Sequence, residues 1–165
     1  MKRNLLITSL CTLLFSITTN AAKSQVQTSN VAVTIATVTE LVANNTVLLP
    51  FAFSTGEQLE TGITQANAVN LAYKSNKLTK ITIKALGSGF FNSAAGSTDM
   101  PVGVISWKKN GVGALIPLTT TSADLSASQA KGSSNFGIDY KITPGLQYNP
   151  ASDYAVTIEY TLTAL

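Results

Sequence analysis

The side chains in this sequence that could move a proton or hold a metal are almost all carboxylates. Eight are present: Glu40, Glu57, Glu60, Asp99, Asp124, Asp139, Asp153 and Glu159. His is absent, the single Cys is Cys11, and no Arg follows Arg3. Beyond residue 22 this composition excludes a Ser-His-Asp triad, a Cys-His pair and a thiolate or imidazole zinc site. Carboxylate chemistry stays open, but glycoside hydrolysis needs two carboxyls facing each other across a cleft. Glu57 and Glu60 are close together in a Gly-flanked loop, and Asp139 and Glu159 fall on expected outward strand faces. Calcium needs only carboxylates and loop carbonyls, yet no D-x-D-x-D-G spacing is present. The expectation is eight solvated surface carboxylates, with no catalytic residue, no metal ligand and no cofactor.

Two further groupings invite a binding role. Lys74, Lys77, Lys80 and Lys84 lie close in sequence. A nucleic-acid groove is the sharper reading, but no Arg accompanies them and phosphate recognition leans on Arg forks. A solvated strand face, and no nucleic-acid partner, is the expectation. Gly87–Gly89 and Gly111–Gly113 open no helix and carry no Lys-Ser/Thr, so turns explain them better than phosphate cradles. Phe90, Trp107 and Tyr148, beside Phe91, could line a sugar-stacking platform; the competing role for Trp107 and at least one Phe is core packing.

The elements that would position these groups begin after a leader. Lys2 and Arg3 precede an apolar stretch, Leu5–Ile7 and Leu10–Ile17, that ends in Ala21–Ala22. Positive head, apolar middle and small-residue exit make residues 1–22 a secretory signal peptide. A membrane span would need roughly 18 predominantly apolar residues, and Thr8, Ser9, Thr12 and Ser16 interrupt a shorter run. Cys11 leaves with the leader, so the single domain expected over 23–165 has no disulfide. Its length suffices to bury a core without one. Export without disulfides suits a bacterial periplasm or surface, or secretion. Removing Lys2 and Arg3 also takes two charges from the formal net of +3, so the pI near 9.0 overstates the basicity of the processed chain.

Period-two alternation runs through the rest. In Tyr154–Leu162 one face carries Tyr154, Val156, Ile158, Tyr160 and Leu162, the other Ala155, Thr157, Glu159 and Thr161. That is a strand with one wet face. Val31, Val33 and Ile35 alternate likewise, with a phase slip near Ala36–Thr37. Val47, Leu49, Phe51 and Phe53 share a face opposite Pro50. Val69–Tyr73, Ile81–Ala85, Val102–Trp107 (read as central), Val112–Leu118 and Ile138–Ile142 complete about eight strands. Lys109-Asn110-Gly111-Val112 predicts a two-residue type I′ hairpin joining Val104–Lys108 to Val112–Leu118. Ser54–Gly56, Ser122–Lys131 and Lys131–Asn135 read as turns or loops. Short strands without alternating helices predict an all-β, antiparallel, immunoglobulin-like β-sandwich.

The carboxyl-terminal residues also carry a resemblance. Ile142-Thr143-Pro144-Gly145-Leu146, followed by Asp153 to Ala164 with its alternating Tyr154-Ala155-Val156-Thr157-Ile158-Glu159-Tyr160-Thr161-Leu162, resembles the closing strand of exported bacterial β-sandwiches. The families are the spore-coat-protein-U-like and pilin-type fibre subunits, and the WxL surface domains. Met100-Pro101-Val102 with Ser106-Trp107 is similar to the central strand of some fimbrial subunits. In the WxL pattern a Trp-x-Leu stands where this chain has Tyr160-Thr161-Leu162. The fibre-subunit resemblance implies strand addition, in which an amino-terminal extension fills a groove in the next subunit. Gln25–Ile35 would then be the donor, with Val31, Val33 and Ile35 as plugs. Tyr154, Val156, Ile158, Tyr160 and Leu162 would border the acceptor groove. Otherwise Val31–Ile35 is the domain's own first strand. The expected function is therefore a non-enzymatic exported surface protein, structural or adhesive. Its partner would be another copy or a periplasmic or surface protein; the alternative is a monomeric glycan-binding module.

Overall fold

A computed structural model describes residues 31–44 and 49–165. The expected signal peptide, and most of the expected donor segment, lie outside those residues. The chain divides into a unit of Met1–Thr34 and a unit of Ile35–Leu165. In the first, residues 31–34 belong to no strand and are exposed. Among its described residues, the second has β-strands with one short helix and a single 3-10 turn.

Two antiparallel sheets make a sandwich, as the alternation predicts. One runs in the order β1 (Thr39–Ala43), β2 (Ile63–Ser75), β7 (Gly132–Ile142), β4 (Ile105–Lys109), β5 (Ile116–Pro117). The other runs β6 (Ala123–Gln129), β3 (Thr79–Leu86), β8 (Thr157–Ala164). Leu71, Tyr73, Ile138 and Tyr140 from the first sheet meet Ile81, Ile83 and Ala85 from the second in a continuous buried core. The phase read from the sequence is right in both: Ile81, Ile83 and Ala85 are buried while Thr82 and Lys84 are not.

Several elements differ from expectation, each for a physical reason. The first strand is Thr39–Ala43; Val31–Ile35 lies ahead of it, in no strand. Of the run around Pro50, residues 45–48 are outside the described set. Leu49, Phe51 and Phe53 remain half-buried on one side but pair with no strand; Pro50 has no N–H to offer a ladder. Residues 56–61 are a helix, α1 (Gly56–Thr61), not a loop, so Glu57 and Glu60 are helical. Thr55 caps it by accepting from Gln58 N, while Gln58 Oε1 accepts from Ser54 N, a T-x-x-Q signal legible in the sequence. Val102 is buried in a 3-10 turn, and the strand starts only at Ile105.

The Asn-Gly turn exists, with Val112 N donating to Lys109 O at 3.0 Å, but it is not type I′. Gly111 has φ of +71°, whereas Asn67 is the only non-glycine described residue with positive φ. Asn110 is held otherwise: its N donates to Gly137 O and its Nδ2 to Asp139 Oδ1. The chain therefore leaves the ladder and pairs only at Ile116–Pro117, with Trp107 opposite Ile116. β6 and the Gly132–Asn135 start of β7 depart from the expected loops, which their composition suggests: Leu125 is the one buried side chain of β6 and Ser133–Asn135 are all polar. Both are strands through pairing to β3 and β2.

Candidate functional site

The lysines settle first. Lys74 lies 3.7 Å from Glu40, Lys80 3.5 Å from Asp124 and Lys84 3.0 Å from Glu159. Lys74 stands on a different sheet from Lys80 and Lys84, so they form no common groove. Exposed pairs of this kind stabilise little.

Asp139 departs from its expected solvated position: it is 4 % exposed. β2 carries a bulge between Gln65 and Val69 opposite it. Within the bulge Asn67, at φ of +51°, donates its N–H to Asp139 Oδ1 at 2.9 Å. Asn110 Nδ2 donates to the same oxygen at 2.7 Å, and Lys108 Nζ is 3.8 Å from Oδ2. Gly137 leaves room beside this group: a Cβ there would force the Asn67 side chain to move. Burial works against the charge, but the bonds from Asn110 and Asn67, with Lys108, outweigh it and hold the carboxyl below its ordinary value. Asp139 thus fastens a bulge to a turn.

The open flank of the sandwich lies between the edge strands β1 and β8, which pack against each other. Opposite Ile81, Ile83 and Ala85, all buried, stand Leu162, Tyr160 and Ile158. These three therefore point inward, yet they are only half-buried, because no strand lies beyond β8 among the described residues. On the facing edge Leu41 and Ala43, paired with Tyr73 and Leu71, are half-buried for the same reason. Tyr154 and Val156 precede the strand. Tyr154 belongs to the end of the sandwich instead: its ring stands edge-on to Phe91, and its hydroxyl accepts from Ser97 N and donates to Asn149 O.

Edge strands expose unpaired N–H and C=O groups and are usually blunted by Pro, Lys or short length. β5 has two residues including a Pro, and β1 has five. β8 has eight, with neither Lys nor Pro, and its one charge, Glu159, is paired with Lys84. The remaining edge, β6, has seven residues and also lacks Lys and Pro, but two register shifts break its ladder with β3, so β8 is the longest regular edge among the described residues.

Tyr160 also ties the sheets together, its hydroxyl 2.5 Å from that of Tyr140 on β7. Burial raises both phenols; Tyr160 raises Tyr140 further, whereas the bond from Tyr140 lowers Tyr160 in part. Tyr160→Phe should cost about 1–3 kcal/mol in urea unfolding, because it strands a buried hydroxyl, and adding Tyr140→Phe should recover part of that. Since both folded values lie above the unfolded one near 10, the pair stabilises below pH 10 and that stability declines as pH rises further.

The chain enters β1 from a clamp. Asn76 Nδ2 donates to Ala36 O at 2.6 Å, its Oδ1 accepts from Val38 N at 2.9 Å, and its own N donates to Val38 O at 3.2 Å. Ahead of the clamp Val31, Val33 and Ile35 are 81, 75 and 79 % exposed. Thr39 pairs with Ser75, and Thr79 with Ala164, so β1 begins at the pole where β8 ends.

At the other pole, where Leu86 meets Thr157, a shallow cleft of about 540 Å³ is lined by Phe90, Asn92, Ser93, Thr98 and Asp153 among others. Phe90 is 44 % exposed there. Of the other two aromatic candidates, Trp107 is 2 % exposed and belongs to the core, and Tyr148 is half-buried against it. Neither joins Phe90 in a platform.

Among the described residues no group of three or more His, Cys, Asp or Glu is placed to hold a metal, and no helix is long and apolar enough to cross a membrane. No protein-family model matches the chain, and no curated protein matches its sequence.

Proposed function

We propose that this chain is a non-enzymatic, exported bacterial surface protein, a structural and adhesive subunit whose copies join by β-strand addition. The Val31–Ile35 segment of one copy would lie along the free edge of β8 in the next. The observation that carries this reading is a pair of complementary defects in one chain. An alternating β-branched segment stands exposed and unpaired, and an eight-residue edge lies unguarded over half-buried Ile158, Tyr160 and Leu162.

Strand addition draws affinity from backbone hydrogen bonds and register from alternate side chains. Burying Val31, Val33 and Ile35 would contribute about 1.5–3 kcal/mol each, and each new ladder bond about 0.5–1.5. Association opposes this by about 4–15 kcal/mol, so three plugs and a short ladder leave a modest margin. Topology favours a second copy as acceptor. The segment enters the domain at the pole where β8 ends, so folding back on its own β8 would make a parallel pair. A neighbour can accept it antiparallel, the slightly stronger arrangement.

Size-exclusion chromatography with light scattering, over a concentration series of the processed protein, tests the proposal together with negative-stain electron microscopy. Oligomers or filaments that persist on dilution are expected. A monomer at high concentration without fibres overturns it.

A further inference from the structure

We infer that the cleft at the Leu86–Thr157 pole is a binding site for a neutral saccharide unit, with Phe90 as its stacking face and Asn92 as its principal hydrogen-bonding group. This does not rest on strand addition, since a monomer would carry the same site. The cleft is separated from the pole where the chain enters β1 by the length of β3 and β8, about 23 Å at 3.3 Å per residue.

Its walls are tied down. Phe90 bridges to Pro101 and Asn92 to Ala155 through backbone pairs, the latter at 2.8 and 2.9 Å. Asp153 staples the intervening loop, accepting from Ser93 Oγ at 2.6 Å, Ala94 N at 2.5 Å and Ala95 N at 3.2 Å. Those bonds, Ser93 first, hold its carboxyl below the ordinary value, and they occupy most of its acceptor capacity. Asp153 is therefore a positioning residue.

What the walls present is chemically specific. Phe90 offers a half-exposed apolar ring, which suits the C–H face of a pyranose. Around it the Asn92 amide and the Ser88 and Thr98 hydroxyls line the cleft and have no hydrogen-bond partner among the described residues. An amide both donates and accepts, and so do hydroxyls, which matches sugar hydroxyls that do the same. No Lys lines the cleft, and Asp153 is its only charge; a carboxylated or sulfated sugar would meet repulsion. A ring with an apolar face, several hydroxyls and no charge fits this combination.

The test is a ¹⁵N–¹H NMR titration of the processed protein with the methyl glycosides of glucose, galactose, mannose and N-acetylglucosamine, and with glucuronic acid. At least one neutral glycoside should give saturable shifts confined to Ser88–Ala94, Thr98 and Asp153–Ala155. Phe90→Ala and Asn92→Ala should each weaken it roughly tenfold, with the remaining spectrum unchanged as evidence of folding. Saturable binding by none of the neutral glycosides, tighter binding of glucuronic acid, or affinity indifferent to both substitutions would overturn the inference.

Discussion

Replacing both Val33 and Ile35 by Asp is expected to abolish self-association while leaving the melting of the sandwich where it was. Both side chains are at least three-quarters exposed and lie ahead of the Asn76 clamp. Exposed substitutions of this kind change folding free energy by about 0.5 kcal/mol or less. In an inserted strand the same positions face Ile158, Tyr160 and Leu162. Two carboxylates there would forfeit about 3–6 kcal/mol of apolar burial and add the desolvation of two charges, more than the modest margin of strand addition. Light scattering should therefore report a monomer, and calorimetry an unchanged Tm. The variant keeps its own β8, so mixed with the parent protein it should end growing chains and shorten filaments. Oligomers that survive both substitutions would show that the segment is no donor.

Asp139→Ala is expected to be the most destabilising alanine change among the eight carboxylates, since Asp139 alone of them is buried. It strands Asn67 N–H and Asn110 Nδ2 beside a buried cavity and releases Lys108 from its partner. Donors fully buried without acceptors cost about 1–3 kcal/mol each; Asn67 and Asn110 are exposed residues, so water offsets part of this, and a loss of roughly 1–4 kcal/mol should appear in urea unfolding. Asp139→Asn retains one acceptor oxygen and should lose less. The pH dependence has a definite sign. The folded carboxyl lies below its unfolded value of 3.8, so its contribution is present above that value and fades as pH falls through the folded one. The acid limb of a stability–pH curve should therefore flatten in Asp139→Asn. An unchanged limb would mean that the carboxylate does not hold the bulge.

The legibility of the fold follows from how each strand is buried. β3 and β8 each have one dry face and one wet face, so Ile81-Thr82-Ile83-Lys84-Ala85 and Thr157-Ile158-Glu159-Tyr160 announce themselves at period two. β6 and the opening of β7 do not, because Ala-Asp-Leu-Ser-Ala-Ser and Gly-Ser-Ser-Asn carry almost no apolar side chain. They are strands because β3 and β2 offer ladders to them, and a neighbour forty or more positions away leaves no local pattern. Asp139 shows the same limit in a site residue. Its sequence neighbours suggest an outward carboxylate, but the donors that permit its burial come from the bulge at Asn67 and the turn at Asn110. The helix at Gly56–Thr61 runs against the expected loop, although Thr55 and Gln58 carry its capping signal.

Residue order alone determined the class of fold and the face that β2, β3 and β8 turn inward, because alternation is a property of the extended backbone itself. It also determined which side chains are available for chemistry. Tertiary structure decided which strands lie at the rims, that β8 is left bare while Trp107 is covered, and that Phe90 shares a cleft with Asn92 and Asp153. Those outcomes depend on pairing and packing between distant segments, which a short-range pattern does not encode.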